Sequence, residues 1–381
     1  MTTQPFVLLV DDDPAQEAFA LLLSQQGVEA KHVLPGDLLV DDLDRASLVL
    51  IDEFIEDWPA RDLAKDELGL FVRDGIALAS VLRSALDGRG PSPDTEPKPK
   101  NTAFVLRTGH LDVLGAGTPA FIRPMAIASR HDLEWAAEKT RMTAKALASL
   151  AIATSKLPTD WSNPVDPVAQ LAWLDLPQAH WRDDAIAQIE LCRPPWSVLA
   201  ATSAGRRWLS WFLQRILPFP TFLVDDRRAA SYLGLKPSAL DDIVGGENQV
   251  AEMLSGAEYR GQLADFSGRR WWRAGISAVR GLALESSYGR MSEDVARSIA
   301  LLHGKELETL GLQRPVFQID DNYNLVDEPL EITDAVRLQP DDWPSYADDP
   351  WLATASIDIE QSLAKLVVID DRNSGADKND E

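Results

Sequence analysis

Four short apolar runs punctuate the first third of the chain: "FVLLV" at Phe6–Val10, "SLVLI" at Ser47–Ile51, "AFVL" at Ala103–Leu106 and "AFI" at Ala120–Ile122. Runs this short, with no polar residue to mark a solvent face, predict strands of a parallel sheet covered on both sides. Helical patterns lie between them. "PAQEAFALLLSQQG" follows the first run, with Ala18, Leu21 and Leu22 as its predicted apolar face and Gly27 at its close, and "GIALASVLRSAL" follows the second. Strand and helix alternating in this way predict a doubly wound α/β domain over residues 1–145. Its closing element is "RHDLEWAAEKTRMTAKALASLAIATSK", which reads as one helix stopped by Pro158.

The later pattern is different. Residues 146–166 read as a linker into a mainly α-helical domain at 167–312, where "VAQLAWL", "RDDAIAQIELC", "GRRWLSWFLQRIL", "SALDDIVGG" and "MSEDVARSIALLHGKELETLG" carry helical periodicity. Residues 313–368 form an acidic extension punctuated by Pro and Trp, expected to lie across a surface as a docking element. The tail 369–381 is expected to be disordered. Within the first domain, an insertion near 57–73 and a Pro-rich loop at 87–101 interrupt the alternation.

Composition narrows the function. With 60 acidic residues against 37 Lys and Arg, the formal net charge of -23 disfavours a surface built to neutralise phosphates, so nucleic acid is not the expected partner. The single Cys192 excludes an internal disulfide framework. No apolar run reaches the roughly 18 residues that a membrane helix needs, and a cytoplasmic protein is expected.

The candidate chemistry sits at the predicted strand ends. Asp11 and Asp12 close the first run, Asp52 the second, Thr108 follows "FVLR" and Arg123 follows "AFI". In a doubly wound sheet these carboxyl ends face one crevice. Carboxylates packed that closely repel one another unless a cation sits among them, and an oxygen-seeking ion such as Mg²⁺ suits the donor set. Each residue also has a simpler reading: Asp12 or Asp13 as a helix cap, Thr108 as a turn residue, Arg123 as a partner for an acid.

Taken in order, "VLLVDDDP", "LVLIDE", "DGIALASVLRS", "VLRTG" and "FIRP" resemble the receiver domain of two-component response regulators. The resemblance implies a flavodoxin-like fold and a role for each residue. Asp11 and Asp12 would hold Mg²⁺ together with Asp52 and the backbone carbonyl of Phe54. Asp52 would accept a phosphoryl group, with Thr108 donating to its oxygens and Arg123 standing where the family has Lys. Arg is not equivalent to Lys there, because a planar fork replaces a compact charge. The resemblance covers little more than a third of the chain, and nothing beyond about Lys145 suggests a family.

Two stretches of the second half suggest binding. "RRAASYLGLKPSALDDIV" has the outline of a helix-turn-helix, but Asp241 and Asp242 on its second helix oppose phosphate contact, which favours an ordinary helical hairpin. In "FSGRRWWRAGISAVRG", Arg269, Arg270, Trp271, Trp272 and Arg273 form an aromatic and basic cluster that could clasp a protein partner, or else be core tryptophans with paired arginines. The leading expectation is therefore a signalling protein rather than an enzyme. A partner kinase, such as a histidine-kinase-type ATPase, would phosphorylate Asp52, and the helical half would be the protein-binding output. Against it stands a scaffold whose receiver fold survives only as a docking surface in a multi-protein complex; a DNA-binding regulator is third.

Overall fold

The computed structural model describes residues 4–55, 74–88, 101–158, 168–195, 197, 204–285, 289, 291–369 and 371. The insertion expected near 57–73, most of the Pro-rich loop 87–101, the segment 159–166 and nearly all of the tail 369–381 lie outside the described residues.

Five parallel strands form the central sheet: β1 (Phe6–Val10), β2 (Glu29–Val33), β3 (Ala46–Asp52), β4 (Ala103–Thr108) and β5 (Trp135–Glu138), in the order β2-β1-β3-β4-β5. That order is the flavodoxin-like one, with its topological switch point between β1 and β3. The period of two along each strand divides the interior. Phe6, Leu8, Val10, Val49, Ile51, Phe104 and Leu106 pack on one face, while Val7, Leu9, Leu48, Leu50, Ala103 and Val105 pack on the other. Helices α1 (Gln16–Ser24) and α6 (Ala144–Ser155) cover the second of these faces; α2 (Val40–Arg45) and α3 (Gly75–Asp87) cover the first. A short helix α4 (Leu111–Leu114) and α5 (Arg123–Arg130) complete the run between β4 and β5.

Three sequence expectations are corrected here. "AFI" at 120–122 is not a strand but the turn that leads into α5, where Pro124 occupies the first turn that tolerates it. The stretch 130–156 is not one helix: Arg130 ends α5, Trp135–Glu138 forms β5, and beyond it only 144–155 is helical. Ala-rich "WAAE" has helical propensity, but pairing of Val105 with Trp135, Leu106 with Ala136 and Arg107 with Ala137 overrides it. The buried Arg83–Glu134 ion pair, 2.8 Å long, and the Phe104 N–H donating to Glu134 fasten the entry to β5 against α3 and β4. Finally, α1 buries Ala20 and Leu23, whereas Ala18, Leu21 and Leu22 face outward, the two leucines 66% and 50% exposed.

The second half does not hang from a linker. Residues 146–155, expected as linker, belong to α6, whose Ala146, Leu147, Ala148, Leu150, Ala151, Ala153 and Thr154 are all buried. Such a helix is buried all round because both sides are covered. The sheet lies on one side, and Trp173, Trp208, Trp211 and Phe212 continue the same hydrophobic core. Helices follow at Val168–Trp173, Arg182–Cys192 and Ala204–Trp211, then a further set from Asp226 to His303 that shares a second core around Leu233, Leu240, Leu254, Trp271, Ile276 and Ile299. Residues 315–367 add short strands and a small core of Ile319, Val336, Leu338, Leu352, Leu363 and Val367. This extension lies across both parts of the molecule: the Phe121 N–H donates to Asn322 O, Trp343 packs on Phe121 and Phe219, and Arg273 grips Asp348.

Candidate functional site

β1 ends at Val10 and delivers three carboxylates with three separate fates. Asp11, 1% exposed, turns into the crevice, where its Oδ1 accepts from the Asp13 N–H at 3.0 Å and its carbonyl meets His32 Nε2 at 2.8 Å. Asp12 is half-buried beside it. Asp13 faces outward and accepts from the Ala15 N–H at 2.9 Å, a bond that holds its carboxyl below the usual range. Neither Asp12 nor Asp13 caps α1 as expected: the N-cap position is Ala15, with no side-chain cap bond, and Asp13 closes a turn just ahead of the helix.

β3 brings Asp52, 7% exposed, to the same place. Carboxylate oxygens of Asp11, Asp12 and Asp52 lie within 4.8 Å of one another. The backbone around Asp52 is closely packed. Gly75 opens α3 against it: a Cβ on Gly75 would stand 1.7 Å from Asp52 O, and the Gly75 N–H donates to Glu53 O at 2.9 Å. Asp74 caps the same helix by accepting from the Ala77 N–H. The "DG" pair therefore packs against the end of β3 as well as opening the helix.

The cation of the site is Lys139, not Arg123. β5 runs parallel to β4 with Glu138 opposite Thr108, and the Lys139 N–H donates to Thr108 O at 2.8 Å, so the next side chain emerges at the crevice. Its ammonium lies 2.8 Å from Asp52 Oδ1 and 3.2 Å from Asp11 Oδ2. Burial pushes the Asp52 carboxyl up; the hydrogen bond from Lys139 pulls it back, and the nearby Asp11 adds to the rise. Burial alone would lower Lys139, but the hydrogen bond to Asp52 and the charges of Asp11 and Asp52 hold its ammonium above the usual range.

Arg123 begins α5 and packs its stem over Gly115, where a Cβ would stand 2.2 Å from Arg123 Cγ. Its guanidinium donates to Thr118 O and borders a cleft of about 510 Å³ shared with Gly109, Trp135 and Arg141. It pairs with none of the three site carboxylates. Its place at the end of a supposed strand vanished with the strand.

Besides Lys139, two site residues have no role in the sequence reading. Arg107, opposite Asp52 in the β3–β4 register, is buried with its guanidinium 3.9 Å from the centre of the Phe19 ring and Nη1 donating to Gln16. Burial lowers it, while Asp11 and Asp52 act in the opposite sense. Glu53 is also buried and accepts a hydrogen bond from Thr108 Oγ1, a fully buried hydroxyl that in turn accepts from the His110 N–H. Phe54 is half exposed with its ring edge-on to His110. An Arg immediately before the strand-end Thr and a Glu immediately after the strand-end Asp were the available signals.

The donor set fits a hard divalent ion. The carboxylates are oxygen ligands with no thiol or imidazole among them.

The aromatic and basic cluster of the second half is not an exposed binding patch. Trp271 and Trp272 are completely buried, the latter stacked on Phe222 and edge-on to Tyr259. Arg269 pairs with Asp226 and Asp241, Arg270 donates to Leu217 O, and Arg273 makes a fork to both oxygens of Asp348. The tryptophans fill the core and the arginines satisfy local acceptors. The hairpin of Asp226–Tyr232 and Ser238–Val244 likewise turns inward through Ala230, Leu233 and Leu240, and Asp241 of its second helix is held by Arg269.

No helix among the described residues is long and apolar enough to cross a membrane. Compared with family models, curated proteins and solved structures, the chain gives no significant match.

Proposed function

We propose that this chain is a regulatory protein whose α/β unit binds a divalent cation, of which Mg²⁺ is the natural candidate, and accepts a phosphoryl group on Asp52. The observation that carries the reading is the Lys139 ammonium shared between Asp11 and Asp52 across the switch point of the sheet. Two buried carboxylates from different strands, one cation and the Thr108 hydroxyl converge where an open α/β sheet presents its ligand. Asp11 and Asp12, with one oxygen of Asp52, would hold the ion, and the ion would offset the charge of the incoming phosphoryl oxygens. With acetyl phosphate as donor, an Asp52 carboxylate oxygen forms a bond to phosphorus as the bond from phosphorus to the acetate oxygen breaks. Acetate leaves and an acyl phosphate remains. Lys139 stays protonated and orients the attacking carboxylate. The added charge, about −1.5 to −2 for a phosphoryl group, would bias contacts of the helical half, which we assign as the output module for a protein partner.

A second reading keeps the fold and drops the chemistry: a scaffold in which the sheet is a fixed docking body. The continuous core through α6, which ties the sheet to Trp173, Trp208 and Phe212, favours it, because a rigid joint leaves little freedom for a switch on that face. Intact-mass measurement after incubation with Mg²⁺ and acetyl phosphate separates the two. A phosphoryl-sized gain in the wild type and none in Asp52→Asn supports the first; no gain in either leaves the second.

A further inference from the structure

The Thr108 hydroxyl has one proton to give, and it is already given. Its oxygen donates to the Glu53 carboxylate and accepts from the His110 N–H, so no donor is left for a phosphoryl oxygen on Asp52. Glu53 is not a passing surface neighbour. It directly follows Asp52, is buried, and has its backbone carbonyl fixed by the Gly75 N–H. It also places a fourth negative charge at the site, which suits a divalent cation and opposes an anionic group.

We propose that Glu53 is a gate on the Asp52 site: it holds the Thr108 hydroxyl and sets the resting site to take a cation while resisting a phosphoryl group. The inference rests on the phosphoacceptor reading above and adds how that site is regulated. Phosphoryl uptake requires the Glu53 side chain to leave Thr108, so a partner that draws Glu53 away would license the reaction. A hydrogen bond to a charged acceptor is strong enough for its removal to matter: freeing Thr108 and deleting one negative charge corresponds to a gain of roughly ten- to hundredfold in rate.

The test measures phosphoryl uptake from acetyl phosphate by time-resolved intact mass, with Mg²⁺ affinity by calorimetry, in wild type, Glu53→Gln, Glu53→Ala, Thr108→Ala and the Glu53→Ala/Thr108→Ala double variant. Circular dichroism checks that each is folded. The expected result is faster uptake in both Glu53 variants, larger in Glu53→Ala because Gln still offers Thr108 an amide acceptor, with the part of the Glu53→Ala gain that Thr108 delivers lost in the double variant. Uptake in a Glu53 variant alone, with none in the wild type, supports the gate equally. Wild type reacting as fast as both Glu53 variants overturns the gate and leaves the acceptor reading intact. Absence of an adduct in every variant overturns both.

Discussion

Replacing Lys139 by Met tests the electrostatics of the site without requiring that any phosphoryl group bind. The ammonium now serves two carboxylates, at 2.8 Å and 3.2 Å, that are themselves 7% and 1% exposed. Removing one partner of a fully buried pair costs about 3–5 kcal/mol, because the charge left behind is neither paired nor hydrated. The Lys139 side chain is 26% exposed, so water enters part of the vacated space and the expected loss is about 2–3 kcal/mol with the divalent ion chelated. Saturating Mg²⁺ supplies the missing positive charge, and the loss should then fall below about 1 kcal/mol. A thermodynamic cycle converts the difference into affinity: Lys139→Met should bind Mg²⁺ at least about five- to thirtyfold more tightly than the wild type. Urea unfolding followed by tryptophan fluorescence, in EDTA and in millimolar MgCl₂, reads both quantities. An equal loss in the two media would refute the reasoning, since it would mean that Lys139 and the ion do not compete for the same carboxylates. The pH dependence has a definite sign. Asp52 is raised in the folded state, so the folded chain holds a proton that the unfolded chain releases, and stability declines as pH rises from the ordinary Asp value to the folded one. Without the hydrogen bond from Lys139 that window extends further upward.

Other outcomes follow from single contacts. Gly75→Ala forces a methyl group into the Asp52 carbonyl, so it should cost several kcal/mol, on the order of 3, and abolish divalent binding by displacing the end of β3; calorimetry and thermal melting check both. Asp348→Asn weakens the fork from Arg273 and the bond from Tyr232 that hold the extension to the helices, and should speed limited proteolysis within 315–367 while costing about 2–3 kcal/mol. Cys192 is buried and its thiol is pushed up to about 11, so at pH 8 it should resist iodoacetamide in the folded protein and react in urea; rapid labelling of the native chain would contradict its burial.

The sequence by itself determined the three central strands, because β1, β3 and β4 are buried on both faces and must be continuously apolar. Since Asp11 directly follows β1 and Asp52 ends β3, the approach of these carboxylates was legible too. What tertiary structure alone decided lay at the sheet edge and across the chain. β2 is polar and alternating and β5 is four residues of helix-forming composition, so each becomes a strand only by pairing with a neighbour. With β5 hidden, Lys139 was read inside a helix and Arg123 was given its role. The hold of Glu53 on Thr108 spans 55 positions, and no local pattern announces it. Burial of Trp271 and Trp272 likewise depends on partners such as Phe222 and Tyr259, which reach them only once the chain has folded. Local sequence sets which stretches can be buried; pairing of distant stretches decides which charges meet, because a charge in a crevice is stabilised by neighbours that the fold, not the sequence order, supplies.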